Sequence, residues 1–132
     1  MVKLIDTVSI SLIETSQPRN KILTSLSYQI SKFNITTKAT YFGKVIAWEK
    51  PTGLSHRSQT FNGKTLTDIT LTYDATKEFS ITAGANNIFD VYPDKVLANY
   101  SSYSSGQIPY TRNANQFGFN GAYYYTTLTL KF

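Results

Sequence analysis

The sequence predicts an all-β fold: an antiparallel up-and-down meander of about five long strands, an open part of a transmembrane β-barrel. Three observations predict it. Apolar and polar side chains alternate along several segments, as they do when successive residues face opposite sides of a sheet. The connections alternate between turns of two or three residues and long segments rich in Gly, Ser, Asn and Tyr. Aromatic rings gather at two levels along the strands, as the two interfaces of a bilayer favour.

Residues 1–21 contain VSISLI, which reads as a possible strand, but most of the segment is expected to be the end of an outer loop. The first clear strand is 22–30, with Ile22, Thr24, Leu26, Tyr28 and Ile30 on one face and Leu23, Ser25, Ser27 and Gln29 opposite. A Ser31-Lys32 turn leads into 33–46. There Phe33, Ile35, Thr37, Ala39, Tyr41 and Val45 alternate with Asn34, Thr36, Lys38, Thr40 and Lys44. Two strands joined by two polar residues make a hairpin. The stretch 47–65 is expected as a long loop. Strand 66–74 sets Ile69, Leu71 and Tyr73 against Asp68, Thr70, Thr72 and Asp74. Across the turn Ala75-Thr76-Lys77, strand 78–89 sets Phe79, Ile81, Ala83 and Ala85 against Ser80, Thr82, Gly84 and Asn86. A second long loop is expected over 90–122.

The last strand, 123–132, places Tyr124, Thr126, Leu128, Leu130 and Phe132 on one face. A soluble chain rarely finishes inside a long strand, because unanchored ends fray. A barrel strand must pair on both sides and leave no open edge. Tyr28, Phe33, Tyr73, Phe79 and Phe132 fall at the short-turn ends, and Tyr41, Phe42, Tyr123 and Tyr124 at the long-loop ends. Strands of about 9–11 residues cross hydrocarbon when tilted. The short turns are expected on the periplasmic side and the long loops outside.

Composition narrows the functional classes. There are no cysteines, so neither disulfides nor thiolate ligation enters, and one histidine, His56, cannot build a zinc cluster. No HExxH, GxSxG or GxxxxGK[ST] string occurs, and no nucleophile–base pattern suggests an enzyme. No cofactor and no metal are expected. The 13 Lys and Arg against 8 Asp and Glu give +5, spread without a basic run, so nucleic acid is not an expected partner. No apolar run approaches the roughly 20 residues of a transmembrane helix. The N-terminal MVKLIDTVSISL lacks the apolar region of a signal peptide, so a barrel chain of this kind is expected to be a piece of something longer. The competing reading is a small soluble β-sandwich for binding or adhesion, whose half-buried strands show the same alternation.

The strings IETSQPRNK (13–21), YFGKV (41–45), KTLTDITLTY (64–73), GANNIFDVYPD (84–94) and IPYTRNANQFGFNGAYYYTTLTLKF (108–132) resemble the C-terminal barrel of TonB-dependent outer-membrane receptors. The Asn-Asn-Ile-Phe-Asp element followed by a Phe-terminated strand is the most specific of these features. The resemblance implies a piece of a barrel of about twenty-two strands around a plug. Such receptors sit in the bacterial outer membrane and take up a scarce nutrient: a ferric siderophore, haem, cobalamin or a glycan. It implies lipid and the barrel-insertion machinery as partners, the latter through Tyr124, Leu128, Leu130 and Phe132. The upstream strands, the plug and, through the plug, the TonB complex are implied partners that these residues do not include. Five strands cannot close a barrel, so transport by this chain alone is not expected.

Within the resemblance, Lys38, Lys44 and Asp68 alternate onto the lumen face, in structural roles or in contact with the plug. Tyr103, Tyr110 and Arg112, in the last outer loop, are candidate ligand-facing residues, because loops carry recognition. A solvated loop accounts for them equally well. Gly43 and Gly84 are expected to admit a bulge or the close approach of a neighbour. Asn86 and Asn87 are expected to bond backbone at the strand end, with Pro93 ending regular pairing.

Overall fold

Period-two patterning gives seven strands and one short helix in the computed structural model, which describes residues 6–49, 57–97, 108–111, 113–114 and 116–132. Strands β1 (Lys21–Ile30), β2 (Phe33–Phe42), β5 (Lys64–Asp74), β6 (Phe79–Asn86) and β7 (Tyr123–Leu130) form one five-stranded antiparallel sheet in the order β1-β2-β5-β6-β7. That order is an up-and-down meander. Strands β3 (Val45–Glu49) and β4 (Arg57–Phe61) form a separate antiparallel pair, from Val45 opposite Phe61 to Glu49 opposite Arg57.

Contacts divide the chain into two compact units. The sheet unit takes residues 22–41, 65–91 and 120–132. Its β1–β2 turn places Ser31 at φ 52, in the left-handed region. In its β5–β6 turn the Thr76 hydroxyl accepts the N–H groups of Glu78 (3.2 Å) and Phe79 (3.0 Å), a local bond that stops one strand and starts the next. The two turns are joined: Asp74 N donates to Lys32 O (2.9 Å) and Lys32 Nζ to Ala75 O (2.8 Å).

The loop unit takes the described parts of 1–21, 42–64 and 92–119, and holds a small core of Val45, Ala47 and Phe61. Here the sequence expectations need correction. Residues 7–14 fold as helix α1 (Thr7–Glu14), where an outer loop was expected and VSISLI hinted at a strand. The Asp6 carboxylate caps it by accepting Ser9 N (2.8 Å). Side-chain bonds to β3 hold it: Trp48 N donates to Ser11 Oγ (3.3 Å), and Thr15 Oγ1 donates to Ile46 O (2.9 Å). An edge strand thus captures a β-branched sequence as a helix, and tertiary bonding overrides propensity.

The expected strand 33–46 is two strands, broken at Gly43-Lys44. Gly43 N donates to Asn20 O (2.8 Å), and a Cβ on Gly43 would lie only 3.0 Å from that oxygen. The break carries Val45 off the sheet's apolar face and into the loop-unit core, where it is buried. It also removes Lys44 from any strand. The expected loop 47–65 contains the rest of the β3–β4 pair. Strand 78–89 ends at Asn86, where Asn87 turns to φ 50, and strand 123–132 ends at Leu130.

Candidate functional site

The register of the sheet sorts its side chains onto two faces. Ile69 pairs with Ala85 and Ala85 with Tyr124; Leu71 pairs with Ala83; Tyr73 pairs with Ile81 and Ile81 with Leu128; Phe79 pairs with Leu130. All of these project from one face, since paired residues point the same way. Phe33 stacks on Tyr73 with ring centroids 4.8 Å apart, which puts Phe33, Ile35 and the other odd residues of β2 on that face. Ser27 and Thr36 share a hydrogen bond (2.9 Å) on the opposite face, so Ile22, Leu26 and Ile30 belong to the apolar one.

This face is open. Leu26 is 72 % exposed, Leu128 65 %, Ile35 40 % and Leu71 39 %, while Ile69 and Ile81 are half-buried. Among the described residues, Ala85 is the only buried apolar side chain of the sheet unit. The outward band expected over Leu26, Ile35, Ile69, Leu71, Ile81 and Leu128 lies on one face, with none of the six packed into a closed core. Contiguous apolar surface on a folded chain marks a place where a partner or lipid covers it.

The opposite face is a hydroxyl ladder. Thr72 bonds Thr82 (3.0 Å), and Tyr125 bonds Thr70 (3.2 Å) by reaching across Gly84, its directly paired neighbour. A Cβ at Gly84 would sit 2.6 Å from Tyr125 Cε1 and nearer still to Cζ and Oη. The expectation of a close approach at Gly84 holds, and the approaching group is an aromatic ring from β7. Lys38 is exposed on this face, and Asp68 lies on it as well. Lys44 joins neither: it is an exposed residue of the β2–β3 link, in the loop unit.

Asp68 has structural work at the end of β6. Its carboxylate accepts Asn87 N (2.9 Å), and Ile88 N donates to Thr67 O (2.8 Å). The buried Asn87 side chain donates to Val91 O (2.8 Å) and accepts Val91 N (3.0 Å). Asp90, at φ 53, then accepts Ala122 N (2.8 Å) just before β7. The Asn-Asn-Ile-Phe-Asp string is therefore a hydrogen-bonded knot tying β5, β6 and β7 together.

On β7, Tyr124, Leu128 and Leu130 are exposed along the apolar face, and Phe132 beyond its end is fully exposed. In the loop unit, Tyr110 stands between two rings, its centroid 6.2 Å from Tyr92 and 5.5 Å from Phe119. It lines a cavity of about 260 Å³ with Val45, Phe61, Ile108, Gln116 and Phe117 among its walls. Tyr103 and Arg112, the other candidate loop residues, lie outside the described residues, as does His56. Gln116 is buried and donates to Gly43 O (2.8 Å) and Asn62 O (3.0 Å). Sequence reading missed it; the one signal was an amide placed beside the Phe-Gly-Phe aromatic run. Nearby, Lys64 pairs with Asp94 (2.7 Å), which also accepts Asn62 N (2.7 Å). Burial pushes the Asp94 carboxyl up, but the Lys64 and Asn62 hydrogen bonds outweigh it and hold the group below its ordinary range.

Among the described residues no three His, Asp or Glu side chains gather as a metal site. No described helix is long and apolar enough to cross a membrane, which says nothing about crossing by strands. No protein family matches the chain, and no curated protein or solved structure matches it either.

Proposed function

We propose that this chain supplies part of the wall of an outer-membrane β-barrel, of the TonB-dependent receptor type that its strings resemble. The observation that carries the reading is the continuous exposed apolar face of a five-stranded meander whose other face is a ladder of hydroxyls. Lipid suits the first face, and a water-filled or plugged lumen the second. In this reading β1 and β7, the two edges of the sheet, pair with further strands of the same barrel, because unpaired edges are not tolerated in hydrocarbon. The nutrient imported is a ferric siderophore, haem, cobalamin or a glycan. Energy from the TonB complex arrives through a plug contributed by other parts of the receptor. Lys38 and Asp68 then face the lumen, with Asp68 held by the knot at Asn87. Tyr124, Leu128, Leu130 and Phe132 present the aromatic and aliphatic side chains that the insertion machinery reads.

Site-directed spin labelling tests this directly, because the chain has no cysteine of its own. Labels at Leu26, Ile35, Leu71 and Leu128 in liposome-reconstituted protein are expected to collide with dissolved oxygen more than with a water-soluble nickel chelate. Labels at Thr36, Thr72 and Thr82 are expected to do the reverse. Equal accessibility on the two faces, or a monodisperse soluble monomer without detergent, defeats the membrane reading in favour of a soluble binding module.

A further inference from the structure

The cavity beside Tyr110 has the attributes of a small-molecule site, and it lies wholly within the loop unit. It therefore does not rest on the membrane reading. At about 260 Å³ it is smaller than the roughly 300–1,000 Å³ of drug-sized sites. It is also larger than the ~150 Å³ that accommodates benzene. One fused bicyclic ring is the fitting scale. Tyr92, Tyr110 and Phe119 form a run of nearly parallel rings, with planes 5° and 20° apart. Tyr110 and Phe119 bring that run to the cavity wall, which favours a flat occupant. No described residue in the wall carries a formal charge at neutral pH, and that lining favours a neutral occupant.

Polarity enters at Gln116, which is 7 % exposed and lines the cavity. Its amide orientation is set by its partners: Nε2 donates to two carbonyl oxygens, Gly43 O and Asn62 O. Both amide hydrogens are thereby used. The Oε1 acceptor receives no hydrogen bond from any described residue. A buried acceptor without a donor is costly, and its side chain borders an aromatic cavity. We propose that this cavity binds a flat, neutral, indole-sized ring through an N–H or O–H donated to Gln116 Oε1. A closely shaped ring lacking the donor leaves that oxygen unpaired and is discriminated against.

The full chain in detergent micelles, labelled with ¹⁵N-glutamine, is titrated with indole and then with 1-methylindole, at matched free aqueous concentrations. A saturable shift of the Gln116 side-chain amide signals is expected with indole, at concentrations about tenfold lower than 1-methylindole requires. Equal concentrations for the two, or no saturable shift with indole, overturns the proposal. The substitution Gln116→Leu risks unfolding by stripping two carbonyls of their donor. Ala114→Phe, which fills the cavity from its wall and leaves the amide in place, is therefore the variant of choice. It is expected to retain the Gln116 signal and lose the indole response, and a retained response overturns the site.

Discussion

Gly84→Ala probes how the β5–β6–β7 sheet is held together. A methyl at this position lands 2.6 Å from Tyr125 Cε1 and nearer still to Cζ and Oη, inside the ordinary 3.4–4 Å contact range, so the ring must retreat by more than an ångström. Its hydroxyl stands only 3.2 Å from Thr70 Oγ1, so that retreat also breaks the bond to β5. Overpacking costs about 1–3 kcal/mol and the lost hydrogen bond about 0.5–1.5 kcal/mol. Against these, replacing a strand glycine by alanine stabilises by roughly 0.5–1 kcal/mol. The expected net loss is about 2 kcal/mol. A double-mutant cycle with Tyr125→Ala isolates the cause: without the ring, Gly84→Ala is expected to be neutral or stabilising by up to about 1 kcal/mol. Reversible denaturant unfolding in micelles, followed by far-ultraviolet circular dichroism, reads all four corners of the cycle. The same loss from Gly84→Ala in both backgrounds would falsify the account of Tyr125 as a strap across β6.

Charge on the apolar face is expected to be expensive: Leu71→Arg should weaken folding into liposomes by about 2–4 kcal/mol, whereas Thr72→Arg on the hydroxyl face should cost far less. A cost that is equal for the two, measured by urea titration in liposomes, contradicts the face assignment. Asn87→Ala removes two side-chain bonds to Val91 and strains a residue at φ 50, at an expected ~2–4 kcal/mol, with Asn87→Gly recovering the conformational share of about 1 kcal/mol. Hydrogen exchange at Val91 N–H reports the loss, and unchanged protection there rules out the knot. The pairing of Asp94 makes the loop unit acid-sensitive. Its folded pKa lies below the ordinary 3.8, so its contribution is present above that value and fades as pH falls through the depressed one. The pair is partly exposed, so Asp94→Asn is expected to cost under about 1 kcal/mol at neutral pH and to flatten the acid limb of a pH–stability curve.

The sheet was largely legible in the sequence because alternation is strict wherever one face meets a single kind of surroundings. The runs at Ile22–Ile30, Ile69–Tyr73 and Phe79–Ala85 repeat every second residue, and the structure places each in a strand. Alternation also misled. It runs from Phe33 to Tyr41 and resumes at Val45, yet the chain leaves the sheet at Gly43, where Gly43 N donates to Asn20 O and a Cβ would lie 3.0 Å from that oxygen. That event is a tertiary contact between positions 23 residues apart, and no local pattern encodes it. Helix α1 escaped for the same reason, since its bonds run from Ser11 and Thr15 to β3. In the candidate loop site, Tyr110 was visible as an aromatic in a Gly-, Ser- and Asn-rich segment. Gln116 was not, because a glutamine is ordinarily a surface residue and only folding buries this one.

The two units divide the work of stabilisation unequally, and that division has a consequence of its own. The loop unit has a buried core at Val45, Ala47 and Phe61, with Gln116 bonded beside it. The sheet unit pairs its backbone well but leaves most of its apolar side chains uncovered. Ordering each strand residue costs about 1–2 kcal/mol of conformational entropy, and a single-layer sheet in water has little burial to offset it. In hydrocarbon the balance changes, because an unpaired amide there has no water to bond and strand pairing becomes obligatory. Diluting the detergent below its micellar concentration should therefore act on one unit first. Amides of β5, β6 and β7 are expected to lose hydrogen-exchange protection while those of Ala47 and Gln59, which lie opposite each other in the β3–β4 pair, retain theirs. Simultaneous loss in both would mean that the sheet does not depend on lipid in the way its open face implies. Retained protection in the sheet would mean that something other than lipid covers that face.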